Sequence, residues 1–100
     1  MTTVRVALPS HLRSLAGVAH EVRIDVPDGP TIGDALDALE AAHPALRGTI
    51  RDHVTGTRRP FMRYHACGED LSHQPPRELL PEPVVDGSEP FAIVGAISGG

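Results

Sequence analysis

The stretch "HEVRIDVPDGPTIGDALDALEAAHP" (20–44) changes its hydrophobic period partway, and that change limits the folds open to the chain. Val22, Ile24 and Val26 alternate with polar residues, so one face of a strand is apolar. "PDGP" then makes a turn: proline fixes φ, and Asp-Gly tolerates unusual angles. Ile32, Ala35, Leu36, Leu39 and Ala42 follow at helical spacing. Thr31 stands before them with Asp34 three residues on, the pattern of a capping box. His43 precedes Pro44, which disfavours continuing the helix. A half-buried strand feeding directly into an amphipathic helix implies a sheet with a helix lying across it.

The flanking sequence extends this plan. "VRVAL" (4–8) alternates and reads as a first strand. "SHLRSLAG" (10–17) reads as a short helical turn, with Ser10 as cap, Leu12 and Leu15 on one face and Gly17 ending it. "ALRGTIRDH" (45–53) is expected to form a second short helix with Leu46 and Ile50 inward. Residues 56–60 read as loop. "FMRYHAC" (61–67) reads as a strand, but both of its alternating sets mix apolar with polar residues, so its buried face is open. "GEDLS" (68–72) turns the chain. Residues 74–83 hold four prolines and no regular element is expected there. Val84 and Val85 are expected to form a short strand. "DGSEP" (86–90) turns, and Phe91 to Val94 make a last strand. The order strand, strand, helix, strand, short strand, strand predicts an α+β domain with one main helix on a small mixed sheet.

One hundred residues fit a single domain. With Phe61, Tyr64 and Phe91 as the only aromatics, the core must be mostly aliphatic. With a net charge of −4, nothing favours nucleic acid, which selects for clustered positive charge, and no nucleic-acid partner is expected. Cys67 is the sole cysteine, so no internal disulfide can form. The opening "MTTVRVALPS" lacks the basic and apolar regions of a signal peptide, and no run of about 18 apolar residues exists to span a membrane. A cytoplasmic location is expected. All nine basic residues are arginine, so no lysine side chain is present to accept an acyl group.

In this order the pieces resemble the MoaD/ThiS family of sulfur carrier proteins, which have the ubiquitin-like β-grasp fold. "VRVALPSHLRSLAG" is similar to the family's first strand and short helix. "VPDGPTIGDALDALEAAHP" resembles its second-strand exit and main helix, and "CGED" stands where the family has an Asn-Gly-Glu type of turn. "DGSEPFAIVGAISGG" resembles its ending, an apolar strand followed by Gly-Gly. Two departures are that Gly95-Ala96 stands where such proteins often have a proline pair, and that Pro90 opens the last strand.

The resemblance implies a β-grasp domain over 1–94 and a Gly-Gly tail over 95–100. It implies that the carboxylate of Gly100 is the reacting group. An E1-like adenylating partner would use ATP to form an acyl-adenylate there, and sulfur would displace AMP to leave a thiocarboxylate. That sulfur would pass to a synthase subunit or another acceptor enzyme, the small-subunit role in molybdopterin synthase being favoured over thiazole or cysteine synthesis. The chain itself would bind no cofactor and be no enzyme. Glycine suits the tail because a backbone without side chains can thread a narrow channel. From Ile97 to Gly100 the reach is at most about 14 Å. Ile97, Ser98 and Gly99 would enter the partner, with Phe91 and Ile93, aided by Phe61 or Met62, forming an apolar docking patch. A ubiquitin-like modifier joined through Gly100 to other proteins is the alternative, and a non-covalent β-grasp binding module is a third reading.

Other side chains have weaker patterns. His65, Cys67 and His73 lack the paired spacing of zinc ligands, so no metal is expected, and Cys67 reads as a half-buried strand end. Glu69-Asp70 reads as a solvated pair in a turn. Arg58-Arg59 has the chemistry to hold a phosphate or an acidic patch, against the plainer reading of a solvated loop.

Overall fold

A computed structural model of the chain describes residues 1–95. Five strands form one mixed sheet in the order β2-β1-β5-β3-β4. β1 (Thr2–Ala7) pairs antiparallel with β2 (Val22–Val26), and Val4 stands opposite Ile24. β5 (Phe91–Gly95) lies between β1 and β3 (Met62–Ala66), parallel to the first and antiparallel to the second. β4 (Glu69–Asp70) closes a hairpin on β3. This is the α+β β-grasp arrangement.

Helix α2 (Ile32–Ala42) crosses the sheet. Its start is fixed by the expected reciprocal cap: the Thr31 hydroxyl accepts from the Asp34 N–H, and the Asp34 carboxylate accepts from the Thr31 N–H, each at 3.0 Å. Ile32, Ala35, Leu36 and Leu39 are buried against the sheet. Each large apolar side chain taken from water here contributes roughly 1.5–3 kcal/mol. The sheet supplies the other half of the core with Val4, Val6, Ile24, Val26, Tyr64 and Phe91.

Several local expectations are corrected. α1 (Ser10–Ala16) is present and ends at Gly17 in the left-handed region, but its N-cap is Pro9, and Ser10 is its first helical residue. Leu12 is buried while Leu15 is exposed, so they do not share the inward face. The helix expected over 45–53 is a single 3-10 turn (Pro44–Leu46): Arg47, at ψ 131°, already leaves helical geometry, and Gly48 follows at φ 80°. Leu46 and Ile50 still point inward. Val84 and Val85 are not a strand but part of α3 (Glu82–Val85), which therefore also takes in the last two residues of the proline-rich segment. Pro81 is its N-cap, at φ −58° and ψ 147°, and Pro83 falls in the first turn, where the missing N–H costs no intrahelical bond. Finally, β5 runs one residue past Val94, to Gly95.

Candidate functional site

The last described strand is the middle of the sheet. β5 has a neighbour on each side: β1 pairs with its first two residues, Val6 opposite Phe91 and Ala7 opposite Ala92, and β3 pairs along the rest, with Tyr64 opposite Ile93. At its far end Gly95 stands opposite Met62. Gly100, Gly99, Ser98 and Ile97 lie outside the described residues, so the chemistry expected of the tail starts beyond this point.

β5 is apolar at four successive positions, and pleating divides them. Phe91 and Ile93 point to the helix side, at 0% and 2% exposure. The Phe91 ring lies 5.6 Å from that of Tyr64, tilted by 42°, which is a favourable aromatic geometry. The docking patch expected at Phe91 and Ile93 is thus corrected: both are core residues. Met62 is likewise buried. The outward positions of the strand are Ala92 and Val94, with Val94 42% exposed. Phe61, immediately before Met62, is 65% exposed. The apolar surface beside the strand end is therefore Val94 and Phe61.

Polar groups border this surface. Arg63 stands opposite Val94 and reaches Asp70 across the hairpin, Nη1 to Oδ2 at 3.3 Å. Hydrogen bonds from the Ser72 hydroxyl and N–H pull the Asp70 carboxyl down to about 2, with His65 and Arg63 adding to the effect against slight desolvation. Asp70 thus stays ionised at any ordinary pH. The hairpin loop is two residues long, and both have positive φ, Cys67 at 53° and Gly68 at 77°. That is the type I′ turn, whose twist matches the strands. Cys67 is exposed at this tip and not half-buried as expected. Among the described residues no group of three or more His, Cys, Asp or Glu is placed to hold a metal, and no helix is long and apolar enough to cross a membrane.

No protein-family model matches the sequence. Small archaeal modifier protein 1 of Haloferax volcanii is 38% identical over 76 residues, which span 65% of this chain and 86% of that protein. The chain belongs to the ubiquitin-like β-grasp family of small modifier and sulfur carrier proteins. Structures agree with this placement. The crystal structure of SAMP1 from Haloferax volcanii matches with a TM-score of 0.76 and 31% identity, covering 98% of this chain and 99% of that one. CysO from the Amycolatopsis orientalis BexX/CysO complex matches with a TM-score of 0.75 at 19% identity, over 97% of this chain and 99% of the matched one, which shows the shared β-grasp fold. As a β-grasp carrier or modifier, the chain has its family's fold throughout the described residues, with the elements placed as above.

Proposed function

We propose that this chain is a carrier whose Gly100 carboxylate is activated by an ATP-dependent adenylating partner and converted to a thiocarboxylate. A carboxylate is a poor electrophile. Attack of its oxygen on the α-phosphorus of ATP expels pyrophosphate and leaves an acyl-adenylate. A sulfur nucleophile then attacks the acyl carbon, and AMP leaves with the bonding electron pair. The chain supplies the acyl group and a surface by which the partner recognises it; the partner supplies the catalysis. Val94 and Phe61 would be that surface, with Arg63 and Asp70 at its border, and Ile97, Ser98 and Gly99 would enter the partner's cleft. Adenylation needs only ATP and the partner, so the chain holds no cofactor of its own, and its setting would be the cytoplasm.

The observation that carries this reading is the placement of β5. The central strand ends at Gly95, five residues before Gly100, with exposed apolar side chains beside that end. The recipient favoured from sequence, a molybdopterin synthase, has no counterpart in the names of the relatives above, so the proposal is for sulfur carriage to an acceptor enzyme. A second reading, conjugation of Gly100 to amines of other proteins, is favoured by the likeness to a protein named as a modifier. In that case a lysine nitrogen, in place of sulfur, completes the displacement.

Intact mass spectrometry of protein from its native host separates the two. One oxygen replaced by sulfur at the terminus is the expected result; a covalent adduct with another protein would establish conjugation instead. Deleting Gly100, or adding residues after it, should abolish adenylation while leaving the fold unchanged. A C-terminally extended chain that is adenylated without prior cleavage would refute both.

A further inference from the structure

A cavity of about 360 Å³ lies on the helix side of the sheet, beneath the segment that joins α2 to β3. Arg51 and Arg58 face each other there across an isolated antiparallel bridge. Like charges in such a position repel, and the two arginines are compensated differently. Arg51 is held by α2: Nε donates to Glu40 Oε2 at 2.9 Å, and Nη2 donates to Glu40 Oε1 and Asp37 Oδ1. Burial works against its charge, and the two carboxylates more than restore it, raising its pKa.

Arg58 has no carboxylate partner among the described residues. Its Nε donates to the Ser72 carbonyl at 3.0 Å and its Nη1 to the Met62 carbonyl at 2.7 Å. Those carbonyls orient the guanidinium without cancelling its charge. Arg51 Nη1 and Arg58 Nη2 have no acceptor among the described residues. Both arginines line the cavity, whereas Asp37 and Glu40 stand behind Arg51 and do not. The charged groups on the cavity wall are therefore both cationic.

Tyr64 completes the polar wall. The residue is only 4% exposed and lines the same cavity; its hydroxyl makes no hydrogen bond among the described residues, and since no buried side-chain polar atom there is left unpaired, the hydroxyl opens to solvent. Burial pushes the phenol up, Arg51 and Arg58 pull it down, and the Glu40 carboxylate behind Arg51 pushes it up again, so both cations and that one carboxylate act on it. The apolar lining is Pro76, which is exposed, with the edges of buried Ile32 and Leu36 beside it. Convergent donors beside apolar side chains in a small cleft are the usual make-up of a small-molecule site.

We propose that this cavity binds a small aliphatic carboxylate, its oxygens held by the Arg51 and Arg58 N–H groups and the Tyr64 hydroxyl, its carbon chain lying on Pro76 and the edges of Ile32 and Leu36. Arginine N–H groups match carboxylate geometry. Glu40 and Asp37 nearby disfavour a doubly charged phosphate relative to a monoanion.

Titration of ¹⁵N-labelled protein with butyrate, acetate and inorganic phosphate tests this. Butyrate should give saturating shifts at Tyr64, the 55–57 rim and the Arg51 Nε, with a Kd on the order of 1 mM. Acetate, two methylenes shorter, should bind roughly tenfold more weakly, and phosphate more weakly than butyrate. Tyr64→Phe keeps the ring in the core and should weaken butyrate about fivefold. Arg58→Ala should weaken it at least tenfold, its spectrum elsewhere confirming the fold. Removing Gly99 and Gly100 should change nothing, so this test is independent of the tail's chemistry. Non-saturating shifts, butyrate no tighter than acetate, phosphate tighter than butyrate, or equal binding in Tyr64→Phe would each overturn the proposal.

Discussion

Truncating Phe91 and Val94 separately tests which way the central strand faces. Phe91 is fully buried against the Tyr64 ring, while Val94 lies three residues on, on the other face. Phe91→Ala removes the ring from a packed site and leaves a cavity in the middle of the sheet. Substitutions of this kind cost about 3–5 kcal/mol, and the pairing with Tyr64 places this one in the upper half of that range. A domain of this size has roughly 5–15 kcal/mol of total stability, so the variant is left near the threshold of folding. Val94→Ala gives up half-solvated surface and should cost less than about 1 kcal/mol. Urea unfolding reads both, with far-UV circular dichroism for the backbone. Tyr64 fluorescence reports on the core, since the chain has one tyrosine and no tryptophan. With a urea slope of about 1–2 kcal/mol/M for a small domain, the Phe91→Ala midpoint should fall by roughly 2–5 M and that of Val94→Ala by less than 1 M. In the adenylation assay the order should invert, with Val94→Ala folded but poorly activated. A loss below about 1.5 kcal/mol for Phe91→Ala, or a larger loss for Val94→Ala, would mean that β5 is shifted by one residue, which exchanges its faces.

The hairpin yields two further predictions. Asp70 has a folded pKa of about 2, below its unfolded value. Its contribution is complete above about pH 4 and is lost as pH falls through 2. Asp70→Asn should remove this part of the acid sensitivity, and urea midpoints at pH 5 and pH 2.5 that drop equally in variant and parent would contradict the assignment. Cys67 is an exposed non-glycine residue at positive φ in a turn that prefers asparagine. Cys67→Asn should stabilise by about 0.5 kcal/mol, and a lower melting temperature would show that the thiol makes contacts that outweigh the backbone preference.

What could be read from the sequence depended on how local its cause was. The Thr31–Asp34 cap spans three residues, and the alternation of Val22, Ile24 and Val26 needs only the pleat, so both were legible. Val84-Val85 was misread because β propensity yields to Pro81 and Pro83 before it, which suit the start of a helix. Leu46 and Ile50 reach the core, but over a 3-10 turn followed by further turns in place of a helix, since inward spacing alone does not fix the path between two anchors. The cavity polar groups lay beyond local reading: Arg51, Arg58 and Tyr64 come from two different segments, and only the tertiary fold brings them to one wall.

The most consequential ambiguity lay in "FAIV". A run apolar at every position has no period of two, so it names no buried face. Such runs normally mark strands covered on both sides, yet here helix α2 covers one side of the sheet only. Val94 is left half exposed on the other, next to the strand's end and close in register to exposed Phe61. Apolar side chains left at the surface cost solvation free energy unless a partner covers them. Under the proposed function, their position at the end of the strand that leads to Gly100 would link recognition to delivery. A partner that covered Val94 and Phe61 would sit where residues 96–100 begin, so the contact that selected the carrier would also bring the Gly100 carboxylate within reach.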